Sequence, residues 1–74
     1  MTLSEVLKKY NNENFDAIEY RHIKSIDSDD VDVLYGFAAY RNKMLMSVDG
    51  NNYHLNDQII KYELYKPNWL VVWV

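Results

Sequence analysis

The densest run of chemically capable side chains is "DSDDVD", where Asp27, Asp29, Asp30 and Asp32 fall within six positions. Carboxylates so close together could hold a divalent cation, present negative charge to a basic partner, or close a turn. A calcium loop of the EF-hand type starting at Asp27 needs glycine at its sixth position and glutamate at its twelfth. Those positions are Asp32 and Ala38, so the pattern fails. Asp and Ser close turns by bonding their own backbone, and charge at a strand start discourages edge-to-edge association. The stretch is expected first as a turn. Its second reading is an acidic recognition spot, drawn to a basic protein surface by complementary charge.

Other reactive side chains lack company. His22 and His54 are the only histidines, and neither has local metal-ligand spacing. Asp57 lies three residues after His54, but across an expected turn. Ser4, Ser25, Ser28 and Ser47 have no G-x-S-x-G context for a nucleophile. Gly36 and Gly50 are the only glycines, too few for a phosphate-cradling loop. A catalytic pocket of roughly 300 Å³ or more is hard to carve from one small core. The expectation is a non-enzymatic protein with no metal and no cofactor.

The seven tyrosines admit two readings. An exposed aromatic sheet can stack single-stranded bases when basic residues surround it. Arg21, Lys24, Arg41, Lys43 and Lys61 could supply charge, but acids are interspersed among them. Tyrosines that build a small core are the preferred reading. Net charge is −3 from 8 basic and 11 acidic residues; without the four clustered aspartates it would be +1. The acidic character is thus concentrated at one spot, and no basic stripe suits general nucleic-acid binding.

These residues must be positioned by one small domain, 1–74. A chain this short buries about 60% of its unfolded surface, so its stability is marginal. With no cysteine there is neither disulfide nor thiolate zinc site, so packing must suffice. "TLSEVLKKY" at 2–10 reads as a helix: Thr2 and Glu5 have capping-box spacing, and Leu3, Val6, Leu7 and Tyr10 make one apolar face. "NNEN" ends it. Residues 15–26 carry both a β-favouring composition and a helical stripe; a strand is preferred, followed by a hairpin turn at "DSDD". Val31, Val33, Tyr35, Phe37 and Ala39 alternate on one face of the next strand. Its small residues, Gly36 among them, suggest a bend or close approach by another element. Met44–Val48, Tyr53–Leu55, Ile60–Leu64 and Trp69–Val74 complete the strands, with turns at "RNK", "DGNN", "NDQ" and "KPN".

The expected fold is therefore α+β, one N-terminal helix packed on an antiparallel meander of about five strands. The last strand is apolar on both faces: Trp69, Val71 and Trp73 on one, Leu70, Val72 and Val74 on the other. Such strands are covered on both sides. One short helix cannot do that, so the sheet curls toward a half-barrel, or a partner or second subunit covers Trp69 and Trp73. The longest apolar run, "WLVVWV", is far short of the roughly 20 residues of a membrane span. No charged, apolar leader opens the chain. A soluble cytoplasmic protein is expected.

In length, Asn/Tyr richness and compactness the chain resembles small acidic, cysteine-free proteins of bacteriophages and mobile elements. It shares no motif with them. The resemblance implies a protein that occludes a host protein, as inhibitors of CRISPR nucleases do, presenting acid to a basic surface. A single-stranded nucleic-acid-binding sheet and a homo-oligomeric structural module, paired through the sheet face or edge, are the alternatives.

Overall fold

The computed structural model describes all of residues 1–74. The helix α1, Leu3–Lys9, starts as its sequence dictates. The Glu5 backbone N–H donates to Thr2 Oγ1 at 3.2 Å, and the Thr2 N–H donates to Glu5 Oε1 at 3.0 Å. The second bond holds the Glu5 carboxyl below its ordinary pKa. Leu3, Val6 and Leu7 are buried, and Lys8 and Lys9 lie in the last turn, where the dipole favours cations. Asn11 and Asn12 then leave the helix with φ of 58° and 52°, a conformation asparagine tolerates better than most residues.

Five strands follow: β1 Phe15–Ile26, β2 Asp29–Arg41, β3 Met44–Ser47, β4 Lys61–Lys66 and β5 Trp69–Trp73. The strand expectation for 15–26 holds. Asp27 and Ser28 form a two-residue turn with φ of 49° and 69°, and Asn42 and Lys43 form another with 53° and 62°. Positive φ at both central residues matches the right-handed twist of the flanking strands.

The sheet is mixed, with order β3-β2-β1-β5-β4, and it is not closed. Two expectations are corrected here. It is not an antiparallel meander, because β1 and β5 run parallel, from Ala17 opposite Trp69 to Arg21 opposite Trp73. Nor is Tyr53–Leu55 a strand. The chain leaves β3 at one edge and enters β4 at the other, so residues 48–60 must cross the sheet. Their backbone serves the helix instead of a ladder. The Leu3 N–H donates to Asp57 O at 2.9 Å and the Ser4 N–H to Leu55 O at 2.8 Å. Both donors belong to the first turn of α1, which has no intrahelical acceptors for them.

One apolar cluster fills the space between helix and sheet, built on Leu3, Val6, Leu7, Ile18, Leu70 and Val72 with Tyr20 and Tyr40. On the opposite face of β5, Val71 and Trp73 are also buried. Within the chain, two basic side chains contribute to that cover. Lys61 Nζ lies 4.4 Å from the Trp73 ring centroid and the Arg21 guanidinium 6.0 Å. Long basic side chains lay their stems over apolar surface and keep their charge in water, and these two also gain from the ring's negative face. No helix is long and apolar enough to cross a membrane.

Candidate functional site

The β1–β2 hairpin outruns the rest of the sheet. Strand β5 flanks β1 only over Ala17–Arg21, and β3 flanks β2 only over Ala38–Arg41. Beyond them the ladder continues from His22–Val33 to Ile26–Asp29 with no further strand beside it. At about 3.3 Å per residue, those last five rungs carry the tip roughly 16 Å past the neighbouring strand β5. The longest dimension of the molecule, 42 Å, reflects this arm.

The acidic cluster is the tip of the arm and divides by role. Asp27 sits in the turn. Asp29 and Asp30 open β2, and Asp30 Oδ1 accepts from the Ser25 hydroxyl at 2.8 Å. Asp32 lies nearer the base, where its Oδ1 accepts from Trp73 Nε1 at 3.2 Å and its Oδ2 is 3.8 Å from Arg21 Nη1. Arg21 is also paired through Nε with Glu19, its neighbour two residues back on the same face. Asp32 and Trp73 are therefore in direct contact, whereas Asp27, Asp29 and Asp30 stand apart at the exposed end. Trp69 is on the same open face, edge-on to Phe37 and Tyr65 at 6.2 and 5.7 Å between centroids. The structure thus ties Asp32 to Trp73 near the base of the arm and leaves the other three aspartates exposed.

The arm has apolar side chains on both faces. Ile23 and Leu34 share the side of Arg21, and Ile26 and Val31 lie on the other. All four are exposed, Leu34 by 57%. The expected alternation of Val31, Val33, Tyr35, Phe37 and Ala39 on one face is broken. Tyr20 pairs with Gly36 but Arg21 pairs with Leu34, so Tyr35 is an extra residue in β2. This bulge changes which face later residues occupy. It turns Tyr35 toward His22 and Tyr53 on the helix side, while Phe37 faces Trp69 on the other.

A second constellation, absent from the sequence reading, surrounds Asp49. Its carboxylate accepts from the Tyr53 hydroxyl at 2.5 Å, the Phe37 N–H at 2.8 Å, the Asn51 N–H at 2.9 Å and the Ser47 hydroxyl at 3.2 Å. The Tyr53 bond, then the backbone donors, hold the Asp49 carboxyl well below the ordinary carboxylate range. The close approach expected at Gly36 is this loop: a Cβ there would overlap Tyr53 Oη and Asp49 Oδ2. "DGNN" carried the signal of a turn, but not of a turn clamped to β2 by the aspartate itself.

The fold and this geometry define a small α+β protein with an open five-stranded sheet and a projecting acidic hairpin. No family model, curated protein or solved structure matches the chain.

Proposed function

We propose that the chain is a non-catalytic interaction module that binds another protein through the hairpin arm and the adjoining open sheet face. The observation that carries this reading is the arm. It projects beyond every neighbouring strand, adds no side chain beyond Tyr20 and before Gly36 to the core cluster, and holds five of the thirteen exposed large hydrophobics. A two-stranded ribbon is marginal by itself in water. Docking on a partner would bury Ile23, Ile26, Val31 and Leu34, and Asp27, Asp29 and Asp30 would steer the encounter toward a basic rim. Occlusion of a basic site on a host protein, as an inhibitor from a phage or mobile element would do, is the form of this activity that the size and composition favour.

The side chains on the sheet face favour protein over single-stranded nucleic acid. Arg21 is engaged by Glu19 and Asp32, Lys61 lies over Trp73, and Glu63 shares the cleft between them. Arg21, already paired with two carboxylates, contributes little to phosphate binding, and Glu63 lies close to Lys61 in the sheet-face cleft. The test is affinity capture with the immobilised chain, repeated with Asp29→Asn/Asp30→Asn. The expected result is a captured protein that binds the variant more weakly and with less salt dependence. Unchanged affinity removes the acidic tip from the reading. Binding of short single strands below about 100 μM at low salt, or a dimer by light scattering with no other partner, would favour the alternatives.

A further inference from the structure

At the base of the arm, on the helix side, lies a cleft of about 210 Å³ whose walls include Tyr20, His22, Tyr35, Tyr53 and Asp57. Three features give it a chemistry. First, its aromatic walls form a corner. Tyr53 lies flat on Tyr20, with centroids 4.3 Å apart and planes at 23°. Tyr35 stands at 78° to Tyr53, with centroids 6.4 Å apart, and His22 stands at 78° to Tyr35 at 4.6 Å. Cation–π attraction acts within roughly 6 Å of a ring centroid, and a corner of rings offers more than one such face. The bulge that displaces Tyr35 creates this corner, and bulges recur where a strand must re-aim a side chain.

Second, the polar lining includes acceptors, beside the side-chain amides of Asn52 and Gln58. Asp57 uses Oδ2 to accept the His54 N–H at 2.8 Å, and its other oxygen has no protein partner. His22 Nδ1 is 2.9 Å from Val74 O and donates to it. No lysine or arginine lines the cleft. Third, the hydroxyl of Tyr20 is enclosed and has no hydrogen-bond partner in the protein, although the residue is only 1% exposed. Buried polar groups are almost always paired. Asp57 and Asp49 both act on this phenol electrostatically, so the region around it is negative.

From this corner of rings, the unpaired carboxylate oxygen and the unpartnered hydroxyl, we infer that the cleft binds an organic cation the size of an alkylammonium head. Such a group reaches the protein either as a free amine or as a lysine side chain presented by another protein. It would donate to Asp57 and Tyr20 while resting on Tyr35 and Tyr53. The cleft lies at the base of the arm and shares Tyr35 with it, but the acidic tip and the open face that carry the interaction reading contribute nothing to it.

The test is a titration with n-butylammonium chloride, followed by the ring and amide resonances of His22, Tyr35 and Tyr53. Sodium chloride of equal ionic strength and butan-1-ol serve as controls. Saturable shifts with a Kd of about 1–10 mM are expected for so small a ligand, with no saturation by butan-1-ol. Asp57→Asn keeps the acceptor for the His54 N–H and should weaken binding about tenfold. Tyr20→Phe keeps the stacked ring and should weaken it roughly threefold to tenfold. N-acetyl-lysine methylamide separates the sources. Binding as tight as butylammonium supports the site and assigns it to a protein side chain; binding of butylammonium alone supports the site and assigns it to a free amine. Equal response to butan-1-ol, no saturation by about 100 mM cation, or unchanged affinity in both variants would overturn the inference.

Discussion

Replacing Tyr20 by Phe removes a single oxygen, and the structure sets the sign of the outcome. Tyr20 is in the core cluster, stacked on Tyr53, and its hydroxyl is enclosed without a protein partner. Burial, with the nearby carboxylates of Asp57 and Asp49 behind it, pushes the phenol well above its ordinary pKa, so it stays a neutral, unpaired dipole. Leaving such a group unsatisfied costs about 1–3 kcal/mol. Phe keeps the ring and its packing, so Tyr20→Phe should stabilise the fold by about 1 kcal/mol at the low end of that range. A domain of this size gains roughly 4–8 °C in Tm per kcal/mol. Tyr40→Phe is the matched control, because the Tyr40 hydroxyl donates to Asn12 Oδ1 at 3.3 Å. It should lose about 0.5–1.5 kcal/mol. Urea and thermal melts followed by circular dichroism at pH 7 read both. A Tyr20→Phe protein less stable than wild type by about 1 kcal/mol or more would refute the reasoning, since the hydroxyl would then be satisfied in the fold and not free for a ligand.

The Asp49 carboxyl is held below its ordinary value of 3.8 by the Tyr53 hydroxyl and the Phe37 and Asn51 N–H groups. Its contribution to stability is therefore complete above that value and is lost as pH falls through the lower folded pKa. The difference in Tm between wild type and Asp49→Asn should be full from neutral pH down to about pH 4 and narrow progressively at lower pH. Gly36→Ala should be strongly destabilising by thermal melt, because the new Cβ overlaps Tyr53 Oη and Asp49 Oδ2 and the 49–53 loop must leave β2. Trp73→Phe removes the Nε1 donor to the half-exposed Asp32 and part of a buried ring, at a cost of about 1–3 kcal/mol. Its signature should be amide exchange that quickens most in residues 23–33. Leu7→Ala, at a fully buried position, should cost about 2–5 kcal/mol, enough to unfold much of so small a domain at 37 °C.

What was legible in the sequence was local. Thr2 and Glu5 sit three apart and cap the helix by that spacing alone. The turns at "DSDD" and "RNK" were legible, and Asp27 and Asn42 are residue types that accept positive φ, whereas Ser28 and Lys43 take it without that preference. The pairing of β1 with β5 was not legible, because it joins Ala17 to Trp69, 52 positions apart, and nothing local records a parallel neighbour. The two apolar faces of Trp69–Val74 did hold the clue. They fit a strand with neighbours on both edges, covered by α1 on one side and by the stems of Arg21 and Lys61 on the other. The bulge at Tyr35 escaped because simple alternation from Val31 to Ala39 looked unbroken. The Asp32–Trp73 contact escaped for the same reason as the parallel pairing: it depends on which strand lies beside β1. The turn at the acidic cluster was readable from "DSDD", but its projection was not, since that depends on where β3 and β5 stop.

The decisive experiment is a photo-crosslinking amino acid at position 34, on the exposed side of the arm, compared with the same group at position 9 on the helix, in cells that carry the protein. Position 34 should yield an adduct with a second protein, and position 9 should not. An adduct from position 9 alone, or only adducts of the chain with itself from position 34, would contradict the arm as the element that meets a partner.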